Sequence, residues 1–203
     1  MHYIKLLKKL LAIPLLALFF LTTEQTLILS DVRRWTKIRF EKVPKSSSDL
    51  INLLRLLATH KEFRNLYYYR IFQGNTIAVL GLYLAKIFYK EAPVLFIRKS
   101  CKIGPGLFIQ HGFSTTINAN IGEHCWVNQQ VTIGIKGPGR PTLRNHVRIS
   151  AGAKVLGNVT LGDNVIVGAN AVVTKDVPAN CVVVGVPAYI IKKNGKRVKE
   201  QLV

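Results

Sequence analysis

Aliphatic residues recur every six positions through the second half of the chain. Ile97, Ile103, Ile109, Thr115, Ile121, Val127 and Ile133 form one series; Leu143, Ile149, Val155, Leu161, Val167 and Val173 form a second. Among these anchors only Thr115 is not aliphatic. Gly often follows the anchor, as at Gly104, Gly122, Gly162 and Gly168, and a small or β-branched residue often falls four after it, as at Ala119, Val131, Val147 and Ala153. Ordinary strands alternate with period two and do not hold a six-residue phase over about eighty residues. One unit makes a short strand and a turn. Three units close a triangular coil of about eighteen residues whose anchors stack on those of the next coil. The step from Ile133 to Leu143 is ten residues, and Lys136-Gly137-Pro138-Gly139-Arg140-Pro141 is rich in turn formers. A loop therefore protrudes over 136–142, and loops thrown out of a regular scaffold often carry function.

The first half has helical spacing. Residues 24–40 form one amphipathic stretch, with Leu27, Trp35 and Ile38 as apolar points. After a connector at 43–48, Asp49 opens a second helix with Leu50, Leu53, Leu54 and Leu57 at helical intervals. A third starts near Glu62 and includes Tyr67, Tyr68 and Tyr69, read as packing residues. Asn75 caps a fourth that runs to Lys90, with Pro93 stopping it. Residues 10–21 are an unbroken apolar run behind Lys5, Lys8 and Lys9. Twelve residues are too few to span a bilayer, and Thr22-Thr23-Glu24-Gln25 offers no small-x-small cleavage site. Three arrangements fit: a helix on the membrane surface, a helix docked on its own domain, or an uncleaved anchor. The organisation expected is an apolar and basic segment over 1–23, a helical domain over 24–92, the period-six domain over 93–190 and a basic tail over 191–203.

Charge narrows the partners. There are 29 Lys+Arg against 10 Asp+Glu, a formal net charge of +19 spread over both halves. That favours an anionic partner, whether a membrane surface or a phosphate-bearing ligand. No nucleic-acid motif accompanies it, so nucleic acid is not expected. Cys101, Cys125 and Cys181 are odd in number and lack metal-ligand spacing, which suits a reducing, cytoplasmic compartment.

His111 lies in a turn of the repeat, between Gln110 and Gly112, and can project outward as a base for an acceptor hydroxyl. His124 and His146 also occupy turns and read as structural or surface residues. The histidine spacings of 13 and 22 do not suit a metal-dependent lyase on such a coil, so no metal is expected. No Ser or Cys is paired locally with a base, so direct attack is expected and not an acyl-enzyme.

The repeat, with Gln110-His111-Gly112-Phe113, Val131-Thr132-Ile133-Gly134, Gly152-Ala153-Lys154-Val155-Leu156-Gly157-Asn158, Gly168-Ala169-Asn170-Ala171 and Gly185-Val186-Pro187-Ala188, resembles the left-handed β-helix acyltransferases of hexapeptide repeats. Within them it resembles the serine O-acetyltransferases and the related O-acetyltransferases of surface polysaccharides. The resemblance covers about residues 93–190. It implies an α+β chain, an N-terminal helical domain followed by a left-handed parallel β-helix, against the usual right-handed crossover. It implies a homotrimer with clefts between subunits, acetyl-CoA as donor and His111 as catalytic base. By motif position it implies CoA contacts at Gly134, Ile135, Ala151 and Ala169. Lys192 and Lys193 of the tail are added as candidates for the 3′-phosphate.

Gln110 and Arg140 are the candidate acceptor contacts. The serine branch has Asp fifteen residues before the base, where this chain has Phe96; it has Asp directly before the base, where this chain has Gln110; and its Arg-His pair appears as Gly139-Arg140. These differences point to a hydroxyl of a saccharide or glycolipid at the cytoplasmic membrane face. The alternatives are serine itself and a non-catalytic scaffold.

Overall fold

The computed structural model describes residues 12–40 and 48–202, and the chain divides into two compact units, 1–92 and 93–203. In the first unit five helices are found among the described residues. They are α1 (Ile13–Leu21), α2 (Gln25–Arg39), α3 (Asp49–Thr59), α4 (Lys61–Gln73) and α5 (Thr76–Phe88). Ser48 caps α3 by accepting the Leu50 N–H, and Asn75 caps α5 by accepting the Ala78 N–H at 2.9 Å. The core is built from Trp35, Leu53, Leu56, Leu57, Phe63, Leu66 and Ile71. The three tyrosines of α4 are buried as packing residues. Tyr67 donates its hydroxyl to the Leu15 carbonyl at 2.7 Å, which fixes α1 on the unit.

Leu15, Leu18 and Phe19 of α1 are buried. Of the three arrangements open for the apolar run, Ile13–Leu21 therefore adopts the docked one; residues 1–11 lie outside the described residues. Among the described residues no helix is long and apolar enough to cross a membrane.

The second unit is the expected left-handed β-helix, of about five turns and three parallel faces. Face one holds β1 (Leu95–Ile97), β3 (Thr115–Ile117), β6 (Thr132–Gly134), β9 (Lys154–Leu156) and β12 (Val172–Val173). Face two holds β4 (Asn120–Ile121), β7 (Thr142–Leu143) and β10 (Thr160–Leu161). Face three holds β2 (Phe108–Ile109), β5 (Trp126–Val127), β8 (Arg148–Ile149), β11 (Ile166–Val167) and β13 (Cys181–Val184). Register stacks one aliphatic column behind each face: Ile97, Ile117, Ile133, Val155 and Val173; Ile103, Ile121, Leu143, Leu161 and Val177; Ile109, Val127, Ile149, Val167 and Val183.

Two expectations change here. Ile117, not Thr115, takes the column position in the second coil, because the corner after Ile109 is two residues longer than the count assumes. The following side, from Ile117 to Ile121, is two shorter, so the phase recovers. Residues 191–203, expected as a basic tail, are not separate. β14 (Tyr189–Lys193) runs antiparallel on β13, and β15 (Lys196–Gln201) runs antiparallel on β14, extending face three.

Candidate active site

Each strand of face three ends at a corner that leads to face one. In successive coils these corners are Gln110–Ser114, Asn128–Gln130, Ser150–Gly152 and Gly168–Asn170. The N–H groups of Gln110, Asn128, Ser150 and Gly168 each donate to a carbonyl of the adjoining coil, so the corners stack as an edge. Gln110, His111, Ala151 and Ala169 therefore lie along one edge of the β-helix.

The His111 corner differs from those beneath it. His111 and Ser114 both take the left-handed conformation, with φ of 51° and 50°, and the two extra residues swell the turn. His111 is exposed, while Gly112 is buried against the core. A Cβ on Gly112 would lie 2.8 Å from Ile109 Cγ2 and 2.9 Å from Leu95 Cδ2, so no other residue fits without displacing the core. Thr115, buried at the end of the turn, donates its hydroxyl to the Phe113 carbonyl at 3.1 Å. That carbonyl also accepts the Gln130 N–H of the next coil at 3.0 Å, so the Thr115 hydroxyl is a second tie on the swollen corner.

Gly134 and Ile135 stand at the other edge of face one, where β6 ends and the 136–141 loop begins. A Cβ on Gly134 would meet nothing within 4 Å, and Ile135 is exposed, which leaves room for a slender ligand arm. Arg140 closes the loop by donating to the Ser100 carbonyl at 2.6 Å and to Ser100 Oγ at 3.1 Å. Within one chain, then, the structure groups Gln110 with His111 and places Arg140 on the opposite edge of the same face. Phe96 lies on that face between the two edges, 56% exposed, paired with Thr116 in register.

The lysines are placed elsewhere. Lys193 pairs with Cys181 and Lys192 with Val182, at the start of β13 and not at its His111-corner end. Lys193 Nζ is held by Glu200 at 2.9 Å, and that hydrogen bond raises its pKa. The four carboxylates of this unit are also off the His111 corner. Asp163 accepts from the Asn145 N–H, Asp176 from the Thr160 N–H and Glu200 from Lys193, while Glu123 sits on the corner between faces two and three.

His124 and His146 are stacked on that corner, ring centroids 5.5 Å apart. All three cysteines are free and buried. Burial pushes the Cys125 thiol up to about 11 and raises the other two, the reverse of what a nucleophilic thiolate needs. Among the described residues no group of three or more His, Cys, Asp or Glu could hold a metal ion.

Residues 140–175 match the model of the bacterial transferase hexapeptide family (six repeats). The chain is 34% identical over 179 residues to a serine acetyltransferase of Staphylococcus aureus, covering 85% of this chain and 82% of that one. It belongs to the serine acetyltransferase family. A serine acetyltransferase of Synechococcus elongatus is 44% identical over 108 residues, 50% of this chain and 44% of that one. A solved serine acetyltransferase structure in complex with CoA superposes with a TM-score of 0.60 at 26% identity, covering 83% of this chain and 70% of that one. The acetyl-CoA-dependent acyltransferase expected from the resemblance stands with this family membership.

Proposed function

We propose that the chain is a serine O-acetyltransferase, acting in the cytoplasm as a homotrimer with His111 as general base. The observation that carries this reading is similarity to a serine acetyltransferase through both the helical unit and the β-helix. The saccharide or glycolipid acceptor expected from Phe96, Gln110 and Arg140 gives way to serine on that ground. Those three positions then describe a serine site built differently from the branch's usual one.

Acetyl transfer from a thioester to an alcohol asks little of a protein. The hydroxyl oxygen bonds to the acetyl carbon and the carbon–sulfur bond breaks. The hydroxyl proton passes to the His111 ring and then to the departing sulfur. Holding the two substrates side by side supplies much of the remainder. An exposed imidazole on the edge of face one suits this step. The small residues Ala151 and Ala169 on the same edge, and the open space at Gly134 on the other, suit passage of a pantetheine arm. Among the described residues no side-chain carboxylate of the β-helix lies on the His111 corner, so the reading gives the orienting of its ring to the swollen turn and to a neighbouring subunit of the trimer.

The test is release of CoA thiol from acetyl-CoA with L-serine or with neutral sugars as acceptor. L-Serine is expected to give a kcat/KM at least about tenfold above any sugar, since a site that pairs with a substrate's polar groups discriminates strongly. Turnover with sugars and none with serine would overturn the reading. Absence of both turnover and acetyl-CoA binding would leave the scaffold.

A further inference from the structure

The outer surface of α5 is unlike the rest of the helical unit. Only Ala78 and Leu82 of this helix are buried. Ile77, Leu80, Leu84, Ile87 and Phe88 recur at helical spacing on the opposite side and are 62–81% exposed. Scattered exposed leucines need no explanation, but a continuous stripe does. Helix α1 lies against α5: a Cβ on Gly81 would come within 2.8 Å of Leu18 Cδ2. Asn75 Nδ2 also donates to the Leu21 carbonyl at 2.8 Å.

Charge selects what covers it. Residues 1–92 carry 15 Lys+Arg and 6 Asp+Glu. Three of the six acids are already paired: Asp31 with Arg70, Asp49 with Arg33 and Glu91 with Lys86. Lys90 stands just beyond the C-terminal end of the stripe. Lys5, Lys8 and Lys9 are interleaved with Leu6, Leu7, Leu10 and Leu11 in the sequence that leads into α1. A second copy would bring two cationic units together, whereas a layer of anionic headgroups neutralises the charge while its acyl region takes up the apolar stripe.

We propose that the outer face of α5 docks the enzyme on an anionic lipid surface. At 1.5 Å per residue the 13 residues of α5 are about 20 Å long, too short to cross a bilayer of about 30 Å. The helix lies in the plane of the interface, immersed by about 5–10 Å. This inference is independent of the acceptor.

The full chain is mixed with vesicles of phosphatidylglycerol and phosphatidylcholine, or of phosphatidylcholine alone, and bound protein is measured by flotation. Binding to the anionic vesicles is expected to exceed that to neutral ones by about tenfold or more, and to fall in high salt. Leu80→Glu/Leu84→Glu/Ile87→Glu is expected to cut vesicle binding by about tenfold or more with acetyl transfer retained. Leu84→Gln/Ile87→Gln is a milder second variant with the same expected direction. Equal binding to both vesicle types, or variants that bind like the parent, would overturn the proposal. So would a parent chain that ignores vesicles but loses a subunit contact, read as molecular mass, when the stripe is substituted; a second copy would then be the occupant.

Discussion

His111→Asn is expected to lower acetyl transfer by about 10²–10⁴-fold, the usual contribution of a positioned general base. Asn is the sharper substitution than Ala here. His111 sits at φ 51°, and Asn tolerates the left-handed region better than other residues bearing a Cβ, so the corner keeps its backbone while the base is lost. The residue is exposed, so stability and assembly should be unchanged. Loss in kcat with little change in the KM for acetyl-CoA is the expected pattern, since the ring acts on the acceptor proton. His124→Asn and His146→Asn are matched controls: both residues also have positive φ, 54° and 58°, but lie on a different corner. They should retain activity within about twofold, as surface changes away from the chemistry do. A correctly assembled His111→Asn enzyme keeping more than about a tenth of the parent rate would remove His111 from the mechanism.

Much of the β-helix was legible because its geometry repeats. An inward aliphatic every six residues is a one-dimensional signal, and twelve of the thirteen anchors fall in the stacked columns. Counting missed the place where the chain departs from the period. The corner at His111 is two residues long and the side from Ile117 to Ile121 two residues short, so the phase is restored by Val127 and an evenly spaced count passes over both. The residue that betrayed it was Thr115, the one anchor with a hydroxyl, which donates to the Phe113 carbonyl inside the swollen turn. In the helical half the caps and apolar spacings located the helices. Which face of α5 is buried was not readable, because Ile77, Leu80, Leu82, Leu84 and Ile87 leave no polar side to orient it.

The site was legible in part for the same reason. Gln110, His111, Ala151 and Ala169 share an edge because the corner recurs once per coil, so motif positions translate directly into space. Gly134, Ile135 and Arg140 emerge on the other edge of the same face, which the 136–141 interruption already suggested. Lys192 and Lys193 lie away from the His111 corner because the strand bearing them returns antiparallel on β13. A returning strand reverses which residues come near the His111 corner, and nothing in a run of basic residues announces the reversal. The Glu200 partner of Lys193 was hidden in the same hairpin.

Asp31→Ala is expected to destabilise the helical unit by about 3–5 kcal/mol, the cost of leaving a buried charge without its partner. Asp31 and Arg70 lie 39 positions apart on α2 and α4, and both side chains are only 2% exposed. Arg70 Nε donates to Asp31 Oδ2 at 2.9 Å and Nη2 to Oδ1 at 3.3 Å, a two-pronged contact that joins the two helices. Removing the carboxylate takes the opposite charge away from a guanidinium that is only 2% exposed. Replacing both partners, as Asp31→Leu/Arg70→Met, removes both desolvation costs and should recover much of the loss, since buried pairs exchanged for apolar residues are often neutral in stability. The exposed pair Arg33–Asp49, with the Arg side chain 67% exposed, is the contrast: Arg33→Ala should cost less than about 1 kcal/mol. The chain has two tryptophans, Trp35 buried in the helical unit and Trp126 in the β-helix. In a Trp126→Phe background, denaturant unfolding followed by Trp35 fluorescence reports on the helical unit alone. An Asp31→Ala loss below about 1 kcal/mol would show that the pair is solvated in solution and does not hold α2 to α4.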